Sequence, residues 1–158
     1  MADVVELEVP ARPDYLALAR LIVAATAANE SSAVSDDRID DLRLAVSEAC
    51  TNAIEAQQRA TDLTGDRSTI LIRCQVETGR VAVEIHDHGV GFDPTRLVKH
   101  PPVTDPARLD HERGLGIPLI RLLTDEVDFE PSADGTVVRM VIYAHTVRGN
   151  GGAGTIDD

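Results

Sequence analysis

The chain has 158 residues, a formal net charge of -12 and a 43% apolar content that includes two Phe, two Tyr and no Trp. That length and composition fit one domain with a core of Leu, Val, Ile and Ala. So negative a surface excludes nucleic acid as the main direct partner. The longest apolar stretch, Tyr15 to Ala28, is too short to span a bilayer and contains Arg20.

The opening Met1-Ala-Asp-Val-Val lacks the basic segment and apolar run of a signal peptide, so a cytoplasmic location is expected. Val4 to Val9 alternates apolar and acidic residues, as a half-buried strand does, and Pro10 and Pro13 end it. Asp14 is placed to cap a helix over about residues 15–29, with Leu16, Ala19, Ile22 and Val23 on one face. Asn29-Glu-Ser-Ser makes a turn. Ser35 or Asp36 starts a second helix that runs to about Ala60, with Ile39, Leu42, Val46 and Ala49 on its buried stripe. Thr61 to Asp66 is polar and reads as a loop.

Thr69 to Val76 and Arg80 to His86 predict two strands joined as a hairpin through Glu77-Thr-Gly-Arg. Residues 90–113 hold four prolines and little periodicity, the pattern of a functional lid. A short helix from Ile117 to Leu123 precedes two closing strands, Val127 to Phe129 and Val137 to Tyr143. The order predicts an α+β two-layer sandwich, with helices on one face of a mixed, mostly antiparallel sheet. The domain is expected to span 1–146, followed by a flexible glycine-rich tail over 147–158. Cys50 and Cys74 match neither a metal-ligand spacing nor a disulfide framework and read as buried residues.

Four polar or glycine-bearing groups carry the chemistry. Glu48, Asn52 and Glu55 share one face of the second helix. An asparagine amide oxygen is a hard neutral donor suited to Mg²⁺, and a glutamate one turn away is placed to act as a general base. Alone, these residues read equally as a solvated helix face. Asp87 ends a strand and is followed by Gly89 and Gly91, which allow the backbone to approach a ligand closely. A carboxylate there suits the exocyclic amine of adenine, although a plain turn explains the glycines as simply. Gly114-Leu-Gly116 opens a helix whose free N–H groups suit phosphate oxygens, or it serves only as a hinge. Arg96, Lys99, Arg108 and Arg113 form the cationic part of an acidic chain, suited to clamping a polyphosphate or scattered on the surface. His86 and His88, which flank Asp87, read as surface or packing residues.

Taken in order, S-E-A-C-T-N-A-I-E-A, I-H-D-H-G-V-G-F-D, R-G-L-G-I-P-L-I and D-G-T-V-V-R-M resemble the N box, two glycine boxes and final strand of the GHKL ATPase superfamily. The resemblance covers about residues 4–145 and is stronger to the bacterial anti-sigma-factor serine/threonine kinases. It implies that Asn52 coordinates Mg²⁺, that Glu48 is the catalytic glutamate, and that Asp87 binds the adenine amine of ATP. It further implies that Gly89 and Gly91 lie beneath the nucleotide, that Gly114 and Gly116 face phosphate, and that Thr136 sits near the adenine. Arg113 is placed to reach the γ-phosphate. The implied partners are a sigma factor and a STAS-domain antagonist phosphorylated on Ser or Thr, with a homodimer as the common assembly.

Ala56 and Gln58 depart from the family pattern, replacing a histidine and an aromatic residue. That departure motivates an alternative: a nucleotide-gated protein-binding module with little or no kinase activity.

Overall fold

The computed structural model describes residues 2–64, 68–88, 116–132 and 135–145. Five strands form one sheet: β1 (Asp3–Pro10), β2 (Thr69–Glu77), β3 (Arg80–Asp87), β4 (Glu126–Ser132) and β5 (Gly135–Tyr143). Their order is β1-β2-β3-β5-β4, and all four ladders are antiparallel. No parallel ladder occurs among the described residues, so the sheet there is antiparallel rather than mixed. Among the described residues three α-helices, α1 (Leu16–Ala27), α2 (Asp36–Thr64) and α3 (Gly116–Leu123), complete the two-layer α+β sandwich.

Alternation along the strands divides the sheet into two faces. Ile70, Ile72, Cys74 and Val76 of β2, with Val81, Val83 and Ile85 of β3, enter the core with Val138, Met140 and Ile142 of β5. Opposite them lie Ala19, Val23 and Ala27 of α1 and Ile39, Leu42, Val46, Ala49 and Ala53 of α2. Each large aliphatic side chain fully buried here contributes about 1.5–3 kcal/mol. The other face is charged. Glu6, Arg73, Glu84, Arg139 and Asp128 stand opposite one another in register across all five strands. Arg73 reaches Glu6 at 3.4 Å and Glu84 at 3.8 Å, and Arg139 reaches Glu84 at 3.8 Å. Opposite charges on neighbouring strands support the register, and their partial exposure keeps this face in water.

Three boundaries differ from the sequence reading. Asp14 does not cap α1: its carboxylate accepts from Arg12 at 2.7 Å. Pro13–Tyr15 forms a 3-10 turn instead, and α1 starts at Leu16 without a side-chain cap. The proline pre-sets the turn, and the nearby guanidinium competes for the carboxylate. α2 continues through residues 61–64, which the polarity of that segment had assigned to a loop. Asp62, Leu63 and Thr64 are compatible with helix, and Gly65 is the first strong helix breaker there. The last strands are longer than predicted, because cross-strand pairing recruits polar residues such as Glu126 and Thr136 that lack an apolar pattern. The expected lid at 90–113, the tail at 147–158, and Gly89, Gly91, Arg113 and Gly114 lie outside the described residues.

Candidate functional site

The expected helix supplies two of the site's side chains. Ile39, Leu42, Val46, Ala49 and Ala53 turn one stripe of α2 to the core, leaving Glu48 and Asn52 half-buried beside it. α3 begins against this pair. A Cβ built on Gly116 would lie 3.0 Å from Oε2 of Glu48, 3.3 Å from Nδ2 of Asn52 and 3.6 Å from its Oδ1. Only a residue without a side chain leaves both polar heads undisturbed. Glu55, expected on the same face, turns to a helical neighbour, with Arg59 4.0 Å from its carboxylate.

The second cluster stands at the end of β3. Asp87 is opposite Thr136 in the β3–β5 ladder, continuing the inner face of Val83 and Ile85. It is 7% exposed, and its Oδ1 accepts from the Thr136 N–H at 3.3 Å. The Thr136 hydroxyl is buried and has no hydrogen-bond partner among the described residues. Leaving such a group unsatisfied costs about 1–3 kcal/mol. A ligand edge carrying both donor and acceptor groups, laid against Asp87 and Thr136, would remove that cost.

Gly135 is required where it stands. Its φ is +135°, and a Cβ there would come within 1.9 Å of the Asp87 carbonyl oxygen. Gln57 binds the same peptide group: its Oε1 accepts from the His88 N–H at 2.7 Å. The sequence reading missed Gln57. Its one signal was position, four residues after Ala53 on the buried stripe of α2, where a polar side chain needs a partner.

Gln57 and Asn52 are five residues apart on α2, about 7.5 Å along its axis at 1.5 Å per residue. α2 therefore joins the carboxylate–amide pair to the strand end bearing Asp87. The histidines take no part through their rings. His86 Nε2 lies 3.0 Å from Glu84 on the outer face, and His88 is exposed. Nor do the thiols: burial pushes Cys50 up to about 12 and Cys74 up to about 11, so both stay protonated and unreactive at neutral pH.

Residues 9–142 match the family model described as the histidine kinase-like ATPase domain. The chain belongs to this family. Among individual ATPases of this kind, it is 35% identical over 150 residues to the serine-protein kinase RsbW of Bacillus subtilis (strain 168), covering 93% of this chain and 89% of that one. It is 32% identical over 138 residues to the serine-protein kinase RsbW of Bacillus pumilus, covering 85% and 83%. It therefore lies in the RsbW branch of the histidine kinase-like ATPases. The crystal structure of the RsbU and RsbW domains of a Mycobacterium tuberculosis protein superposes with a TM-score of 0.62 at 18% identity. That match covers 89% of this chain and 32% of the longer one, and it shows the fold.

The donor set suits Mg²⁺. A neutral amide oxygen and a carboxylate meet on one helix face, and Mg²⁺ takes few protein ligands while retaining waters. No group of three His, Cys, Asp or Glu suited to a metal occurs among the described residues. No described helix is long and apolar enough to cross a membrane.

Proposed function

We propose that this chain is an ATP-dependent serine/threonine protein kinase and anti-sigma factor. It phosphorylates a STAS-type antagonist and sequesters a sigma factor. The observation that carries the reading is the meeting of Glu48, Asn52 and Gly116, a carboxylate and an amide against a side-chain-free helix start. Similarity to serine-protein kinases over most of the chain supports the reaction class.

In this reading Asp87 accepts from the adenine amine and Thr136 offers its hydroxyl beside it. Asn52 would hold Mg²⁺, which would neutralise charge on the triphosphate. Glu48 orients the acceptor hydroxyl and takes its proton. The acceptor oxygen then bonds to the γ-phosphorus as the bond to the bridging oxygen breaks and ADP departs. Such transfer asks little covalent chemistry of the protein beyond placement and charge stabilisation. By motif, Gly89 and Gly91 lie beneath the nucleotide, and Gly114 and Arg113 contact the phosphates. The functional domain is 1–146, acting in the cytoplasm as a homodimer.

Incubating the chain with labelled ATP and a STAS-type antagonist tests the proposal. Mg²⁺-dependent label on a Ser or Thr of the antagonist supports it. ATP-dependent partner binding with no transfer would replace it with a nucleotide-gated binding module, the reading favoured by Ala56 and Gln58 where the family carries a histidine and an aromatic residue.

A further inference from the structure

We propose that Gln57 is a positioning residue for base recognition. By holding the Asp87–His88 peptide to α2, it sets where the Asp87 carboxylate stands relative to Asn52 and Glu48. The inference rests on the reading of Asp87 as the adenine-binding carboxylate and deepens it.

One peptide group, Asp87–His88, is held from two sides. A peptide is planar, so fixing its N–H and its C=O fixes its orientation. On one side the Gln57 Oε1 accepts the His88 N–H at 2.7 Å. On the other, Gly135 packs so closely that a Cβ would fall 1.9 Å from the Asp87 oxygen, 2.7 Å from its carbon and 2.8 Å from the His88 Cα. The Asp87 side chain leaves the adjoining Cα and is itself held by the Thr136 N–H at 3.3 Å. Two of these restraints, Gly135 and Thr136, come from β5 and keep Asp87 in register with the sheet. The Gln57 bond comes from α2 and spans 31 residues of sequence. It ties the adenine-binding residue to the helix that carries the catalytic pair.

Gln57 is 7% exposed, and a polar side chain is costly at such a place unless it is bonded. A core-filling role alone would be met by an aliphatic residue, as at Ala49, Ala53 and Ile54 on the same helix. Its accepting oxygen is placed for the His88 N–H. Losing it frees the end of β3 to shift against α2, and the carboxylate moves with it.

The test compares ATP with inosine triphosphate, which carries a carbonyl in place of the exocyclic amine. Both affinities are measured by calorimetry with Mg²⁺ on the full chain and on Gln57→Leu and Gln57→Asn. Leu has no acceptor, and Asn is one methylene too short. The parent prefers ATP. Gln57→Leu and Gln57→Asn reduce the ATP-to-inosine ratio by about tenfold, the equivalent of one hydrogen bond to a charged group.

A merely structural role would weaken both nucleotides in step and leave the ratio intact, and that result overturns the proposal. So does a parental ratio in Gln57→Asn, which keeps the amide and tests the contact even if Gln57→Leu does not fold. A parent that binds ATP without base preference instead removes the assignment of Asp87, and the proposal falls with it.

Discussion

Gly116 meets Glu48 with no room between them: a Cβ on the glycine would lie 3.0 Å from the Oε2 of the carboxylate. The start of α3 thus limits where the Glu48 carboxylate can stand. Gly116→Val should push the Glu48 and Asn52 side-chain ends aside and lower phosphoryl transfer, by up to about a hundredfold if the displacement reaches about 1 Å. Stability should change by no more than about 1 kcal/mol, because valine is a better helix residue than glycine and offsets part of the crowding. Transfer assays beside urea unfolding separate the two effects. Parental transfer in a folded variant would mean that Glu48 is not held by this contact.

Gly135 combines a left-handed φ of +135° with backbone contact to Asp87. Gly135→Ala should lose about 3 kcal/mol or more, since strain at such a φ costs about 1–3 kcal/mol before the clash is added. Chemical denaturation measures this. A loss below about 1 kcal/mol would show that β5 can retreat from the Asp87 carbonyl.

Glu48→Gln keeps the size of the side chain and removes its capacity to take a proton. ATP affinity should stay at the parental level while transfer falls by about 10²–10⁴-fold, the usual contribution of general base catalysis. Parental transfer to a cognate antagonist would remove Glu48 from its role.

Cys50 and Cys74 give a pH dependence whose sign is fixed by burial. The folded chain holds them at about 12 and about 11, desolvation being the largest cause for each and the nearby Cys74 adding to the shift of Cys50. An unfolded thiol ionises near about 8.5. The contribution to stability is therefore complete below that pH. It declines as pH rises through about 11 for Cys74 and about 12 for Cys50. Urea unfolding at rising alkaline pH should show a steeper loss in the parent than in a Cys50→Ala, Cys74→Ala variant. Identical slopes would contradict the assignment.

The candidate residues could be grouped from the sequence wherever their proximity follows from local order along the chain. Glu48 and Asn52 are one helical turn apart, so periodicity alone puts them together, and Asp87 could be read from its strand end. Gln57 was not legible, because its partner is the His88 N–H, 31 residues away, and spacing carries no trace of that bond. Thr136 was placed by resemblance, and what adds to that is its unpartnered hydroxyl beside Asp87. The misplaced cap at Asp14 has the opposite cause: a local competitor, Arg12, takes the carboxylate that capping rules assign to the helix. The outer face was half legible. Alternation showed that β1 was acidic on one side, but the charge row from Glu6 to Asp128 exists only once five strands are in register.

The central claim is that ATP binds between α2 and the sheet with its base on Asp87. Calorimetric titration of MgATP into the parent and into Asp87→Asn tests it most directly. The asparagine keeps the shape but exchanges one acceptor for a donor that opposes the adenine amine. The account predicts saturable binding to the parent and a loss of about a hundredfold or more in Asp87→Asn, the cost of an unmet buried donor added to a lost charge-assisted bond. Equal affinity in the two proteins, or no binding by the parent, would contradict it.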